Sequence, residues 1–140
     1  MLGELSFLLG LQISHSNKGI LISQKKYIKE MLKKFNMEDC KPVSTPMITG
    51  CKLSKDDESQ EAYHTMYRSM SGNLLYVTTS RPNVMQDVGL VARFQSTPKE
   101  SHVHEIKIIF TYLKGTLDYG LWYRKGEYFT LKVYIYLDWL

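Results

Sequence analysis

From Phe7 the chain stays largely apolar through Leu8-Leu9-Gly10-Leu11 to Ile13, meets the turn formers His15-Ser16-Asn17-Lys18-Gly19, and resumes with Ile20-Leu21-Ile22. Two short apolar runs around a loop containing Gly predict a β-hairpin, with strands over Phe7–Ser14 and Ile20–Ile22. The period then changes. Between Gln24 and Phe35, Tyr27, Ile28, Met31, Leu32 and Phe35 recur at helical spacing, while Lys25, Lys26, Lys29, Lys33 and Lys34 occupy the remaining surface. That pattern predicts an amphipathic helix with one packing face and one cationic face.

Periodicity lapses from Asn36 to about Gln60, a stretch holding Pro42, Pro46, Gly50 and the acidic run Asp56-Asp57-Glu58. It reads as a long surface connector. Helical spacing returns with Met66, Met70, Leu74 and Val77, and again after Pro82 with Val84, Val88 and Val91, Pro82 suiting a first helical turn. A third helix is announced by Thr97-Pro98-Lys99-Glu100, a T-x-x-E capping box with Pro in the first turn, and carries Val103, Ile106, Phe110 and Leu113 on one face before Gly115. Tyr119–Tyr123 and Tyr128–Leu137 are rich in aromatic and β-branched residues and flank Arg124-Lys125-Gly126-Glu127, which predicts a second hairpin. The expected fold class is α+β: N-terminal hairpin, amphipathic helix, long connector, three-helix segment and C-terminal hairpin. The divisions fall at 1–36, 37–62, 63–117 and 118–140.

At 140 residues and 44% hydrophobic content the chain is long enough for one core or two part-domains. A formal charge of +4 favours an anionic partner such as nucleic acid without demonstrating one. No apolar run reaches the roughly 18 residues a membrane helix needs. The N-terminus also lacks the basic region of a signal peptide, so an intracellular location without membrane association is expected. Cys40 and Cys51 have neither zinc-knuckle nor redox spacing and are expected to be free thiols.

Few residues suggest chemistry on their own. His102 and His104 lie two apart on the third helix, pointing to nearly opposite sides, and are expected at the surface or its edge, not as a metal pair. His15 and His64 are isolated. The run Asp56-Asp57-Glu58 is expected to be solvated charge, because a two-metal site needs carboxylates converging from rigid elements. No Ser-His-Asp set and no glycine-rich phosphate loop is present.

Several blocks resemble, in order, the copia-type retrotransposon reverse transcriptase. Leu2-Gly3-Glu4-Leu5 with Phe7-Leu8-Leu9-Gly10-Leu11-Gln12-Ile13 is similar to that family's primer-grip hairpin block, and Gln24-Lys25-Lys26-Tyr27-Ile28 with Leu32 and Phe35 to the helix that begins its thumb. Pro42-Val43-Ser44-Thr45-Pro46 resembles the P-x-x-T-P connector. Tyr67-Arg68 through Tyr76, Ser80-Arg81-Pro82-Asn83, Phe94 through Pro98 and Tyr112-Leu113-Lys114-Gly115-Thr116 resemble the blocks that follow. The resemblance implies a segment of the Pol polyprotein, an RNA-directed DNA polymerase, running from primer grip through thumb and connection into the start of ribonuclease H.

Two departures bear on activity. The family's Y-x-D-D polymerase motif, expected upstream of the first block, occurs nowhere in this sequence. At the other end, Val133-Tyr134-Ile135-Tyr136-Leu137-Asp138-Trp139 aligns with the ribonuclease H strand G-Y-S-D-A-D-W, so that the first, metal-binding Asp falls on Tyr136. A neutral phenol cannot replace a carboxylate that holds a hard cation, and Asp138 is left as a lone remnant.

The chain is therefore expected to have no catalytic residues, no cofactor and no metal site of its own; magnesium is implied only for the intact polyprotein. Phe7, Leu9 and Gly10 are the primer-grip-like candidates. Lys25, Lys26, Lys29 and Lys33 are the candidates for phosphate contact. The partners implied are an RNA or DNA primer–template and the remainder of the Pol polyprotein. The alternatives are a non-catalytic binding module, with apolar hairpin residues as core and lysines as a solvated face in the plainest case, or a decayed transposon relic without selected function.

Overall fold

The computed structural model describes residues 4–8, 10–46 and 60–125. Among them the architecture is mixed, an antiparallel sheet beside a group of helices, as the α+β expectation requires. The strands are β1 (Glu4–Leu8), β2 (Leu11–Ser16), β3 (Gly19–Ser23) and β4 (Gly120–Arg124), and the helices are α1 (Lys25–Lys34), α2 (His64–Val77), α3 (Met85–Ala92) and α4 (Glu100–Lys114).

The run Phe7–Ser14 is not one strand. It breaks at Gly10, whose φ of +83° lets the chain reverse so that Leu8 of β1 pairs with Leu11 of β2. A β-carbon at Gly10 would lie 2.6 Å from the Tyr76 hydroxyl, so the turn also rests on α2. β2 and β3 are joined through Asn17-Lys18 with Ser16 opposite Gly19. The expected hairpin is thus the second half of a meander.

β4 completes the order β1-β2-β3-β4, with Ile22 opposite Leu121 and Leu21 opposite Trp122. The strand expected to open a C-terminal hairpin therefore joins the N-terminal sheet. Its proposed partner Tyr128–Leu137, with Tyr136 and Asp138, lies outside the described residues, as do Leu9, Cys51 and Asp56-Asp57-Glu58.

Alternation along the strands divides the sheet into two faces. One buries Ile13, Ile20 and Ile22, with Leu11, Leu121 and Tyr123 packed against them. The main core belongs to the helices, and its members follow the 3.6-residue period: Ile28, Met31 and Leu32 of α1, Tyr67, Met70, Leu74 and Val77 of α2, and Val88 and Val91 of α3. From α4 come Ile106, Phe110 and Leu113. On α2 the sequence pattern is corrected by one residue: Met66 is exposed and Tyr67 is buried, its hydroxyl donating to the Val91 carbonyl of α3.

α1 ends in a Schellman motif. Asn36 takes φ +58°, its N–H donates to the Lys33 carbonyl at 3.1 Å, and Met37 N–H donates to Leu32 at 2.8 Å. α4 begins later than the capping box predicts. Thr97 and Pro98 stay outside the helix because this stretch pairs with the strand-like segment before α2: Ala62 N–H donates to the Pro98 carbonyl at 3.0 Å and Glu100 N–H to Gln60 at 2.8 Å. The cap is supplied instead by His102, whose Nδ1 accepts from Lys99 N–H at 3.0 Å. His102 is consequently not a surface residue. It is fully buried and stacks on Phe94, with ring centroids 4.1 Å apart. His104 is exposed, as expected.

Candidate nucleic-acid interface

The apolar face of α1 is turned to the core, which fixes the direction of its lysines. At 3.6 residues per turn, Lys25, Lys26, Lys29 and Lys33 fall within an arc of about 100°, and Lys26, Lys29 and Lys33 are exposed. The helix thus presents a cationic stripe along its length. The lysines differ in how far they are engaged. Lys25 pairs with Asp118, Nζ to Oδ1 3.0 Å, although both side chains are well exposed and such a pair contributes little. The Lys26 ammonium lies 5.7 Å from the centroid of the Phe7 ring, within cation–π range. Lys29 borders a cavity of about 250 Å³ together with Leu32, Glu38, Lys114 and Leu117.

Phe7 is 56% exposed on β1, beside the N-terminal turn of α1. That turn is tied to the sheet by Gln12 of β2, whose Oε1 accepts from Lys26 N–H at 2.7 Å, satisfying an amide with no partner inside the helix. Hairpin and lysine stripe are thereby held next to one another. Of the expected primer-grip residues, Phe7 presents an open ring and Gly10 makes the turn; Leu9 lies outside the described residues.

Two buried polar residues hold this arrangement to the helices, and neither was singled out from sequence. Gln24, between β3 and α1, is fully buried. Its Oε1 accepts from the Ser80 N–H at 3.3 Å and from the Ser80 hydroxyl, while its Nε2 donates to the Tyr76 carbonyl at 3.2 Å. Arg81, next in the chain, is 1% exposed. Its guanidinium donates to the Thr116 carbonyl at 3.0 Å and the Thr116 hydroxyl at 2.7 Å, just beyond the C-terminus of α4, where the helix dipole favours a cation. The rings of Tyr112 and Tyr119 lie 5.7 and 5.4 Å from it.

Burial holds the Arg81 pKa below the ordinary arginine value, offset in part by the nearby Tyr112 and Tyr119. Burial likewise raises the Tyr27 hydroxyl, which accepts from Asn73 Nδ2 at 3.1 Å and whose ring meets Tyr76 edge-on. The only sequence signal for Gln24 and Arg81 is their place inside the Gln24–Ile28 and Ser80–Asn83 blocks. Each now has a physical reason to be the residue it is.

Among the described residues, no three His, Cys, Asp or Glu side chains converge as a cation site. No described helix is long and apolar enough to cross a membrane.

Comparison with known proteins decides the relationship. The chain is 35% identical over 97% of its length to the retrovirus-related Pol polyprotein from transposon RE1 of Arabidopsis thaliana. It is similar to Pol polyproteins of transposons. The corresponding protein from transposon TNT 1-94 of Nicotiana tabacum is 36% identical over 82% of the chain. An uncharacterized mitochondrial protein of Arabidopsis thaliana is 31% identical over 99%. The chain spans 9% of the length of each of these two polyproteins and 57% of the mitochondrial protein. The likeness supports a transposon-derived sequence. No family model matches the chain, and no solved structure matches it.

Proposed function

We propose that this chain is the primer-grip, thumb and connection portion of a copia-type reverse transcriptase, gripping a primer–template backbone without polymerase or nuclease chemistry of its own. The observation that carries the reading is the stripe of Lys25, Lys26, Lys29 and Lys33 on one face of α1, beside the exposed ring of Phe7. A row of ammonium groups on a rigid helix neutralises successive phosphates without reading bases. The Pol polyproteins that the chain resembles add independent support. The non-catalytic part of the proposal is supported by the sequence as given, which contains no Y-x-D-D, and by the resemblance, which aligns Tyr136 with a metal-binding carboxylate.

The test is a fluorescence anisotropy titration of the full chain against a labelled RNA–DNA hybrid between about 50 and 200 mM salt, the range over which phosphate contacts weaken measurably. Affinity is expected to fall linearly on logarithmic axes, with a slope near 0.9 per phosphate contacted. Undetectable or salt-independent binding rejects the reading. Magnesium-dependent cleavage of the hybrid by purified chain, absent from a mock preparation, would overturn the non-catalytic part.

A further inference from the structure

The face of the sheet opposite the isoleucine cluster carries an aromatic residue near each edge. Register puts Phe7, Gln12, Ser23 and Gly120 in one row across the four strands, and Leu5, Ser14, Leu21 and Trp122 in the next. Along β4 the exposed residues are Trp122 and Arg124, while Leu121 and Tyr123 turn to the isoleucines. Trp122 is 47% exposed and Phe7 56%. With strands about 4.8 Å apart, three steps separate these edges by about 14 Å.

Cations gather around these rings, and the nearby Asp118, just ahead of β4, is paired with Lys25. Lys26 lies over Phe7, Arg124 follows Trp122 on the same face, and Lys18 and Lys125 flank the adjoining turn, where Lys125 N–H donates to the Lys18 carbonyl at 2.9 Å. No position that the register puts on this face is acidic. Open aromatic faces set among cations, on a rigid sheet, are the combination that holds unpaired bases: rings stack and ammonium groups take the intervening phosphates. A duplex offers no free base face, so the chemistry selects single strands. An apolar protein partner would gain nothing from the cations.

We infer that Trp122 is a base-stacking site for single-stranded nucleic acid, with Arg124, Lys18 and Lys125 beside it to take the adjoining phosphates. This rests on the proposal that the chain binds nucleic acid, but it concerns a different surface from the α1 stripe and a different form of ligand.

The test uses the full chain with Trp139→Phe, which leaves Trp122 as its one tryptophan. Titration with oligothymidylate should quench Trp122 fluorescence. Trp122→Ala, measured by anisotropy, should weaken oligothymidylate binding about tenfold, in keeping with the loss of one stacked base. It should leave binding of an RNA–DNA hybrid unchanged, and Trp122→Phe should retain most of the affinity. Absence of quenching at saturation, an alanine variant that binds as the parent does, an equal loss on the hybrid, or a phenylalanine variant as weak as alanine would each overturn the assignment. Loss of hybrid binding on substituting Lys29 and Lys33 tests the stripe separately. Failure there with Trp122 quenching intact removes the stripe reading and leaves this one standing.

Discussion

Gln24 and Ser80 are 56 residues apart and meet in a fully buried hydrogen-bonded pair, with the Gln24 carboxamide oxygen accepting both the backbone N–H and the hydroxyl of Ser80. One residue later Arg81 engages Thr116. Three sequence blocks, around Gln24, Ser80 and Thr116, therefore converge on one polar seam that joins the base of the sheet and α1 to the ends of α2 and α4. Buried side chains of this kind stabilise only while every partner is present.

Gln24→Ala is expected to destabilise the chain by about 1–3 kcal/mol, the ordinary cost of losing buried hydrogen bonds and leaving their partners unmatched. Urea unfolding followed by circular dichroism measures it, with the lost stability appearing as a lower midpoint at unchanged slope.

Arg81→Lys keeps the charge and loses the planar fork that reaches both oxygens of Thr116 close to the rings of Tyr112 and Tyr119. The same unfolding experiment should show a loss of about 1.5–3 kcal/mol, the range for hydrogen bonds to a charged group. A neutral outcome would mean that the guanidinium geometry is immaterial.

Gly10→Ala faces two separable penalties. The φ of +83° disfavours any β-carbon, by about 1–2 kcal/mol, and the added methyl would meet the Tyr76 hydroxyl at 2.6 Å. Combining Gly10→Ala with Tyr76→Phe should recover the steric part and leave the backbone part. A double-mutant cycle therefore gives a non-zero coupling between the two positions.

Tyr67 supplies a pH dependence. Its hydroxyl is buried on the Val91 carbonyl, and burial raises its pKa above the ordinary tyrosine value. The folded state therefore holds the proton more tightly than the unfolded state. The resulting stability is complete below the unfolded value near 10 and declines as pH rises beyond it. Thermal unfolding of the parent should weaken above about pH 10, and Tyr67→Phe should lose part of that decline. At neutral pH the same variant is expected to cost about 1 kcal/mol for the missing hydrogen bond.

What the sequence discloses is what local periodicity governs. The stripe of α1, the Val84, Val88 and Val91 face and the Val103, Ile106, Phe110 and Leu113 face all emerge as predicted because each helix buries one side. The break at Gly10 is concealed inside an unbroken apolar run, where alternation gives no register. The capping box at Thr97 is a sound local signal overruled by pairing of Pro98 and Glu100 with Ala62 and Gln60.

His102 reads as a polar residue on a helix, and its burial depends on Phe94 and on Lys99, whose N–H it accepts. Gln24 and Arg81 were beyond periodicity altogether, since their partners lie 56 and 35 residues away. At the candidate interface the lysines were legible because the apolar positions of α1 dictate where the rest must point. Trp122 was not, because its face is set by the pairing of β4 with β3.

The measurement that tests the central claim most directly is the salt dependence of hybrid binding by Lys29→Gln/Lys33→Gln beside the parent chain. Both side chains are exposed on α1, so the fold should be unaffected. If α1 lies along a phosphate backbone, removing two contacts should reduce the logarithmic slope by about 1.8 and weaken affinity most at low salt. An unchanged slope, with binding intact, would contradict the account.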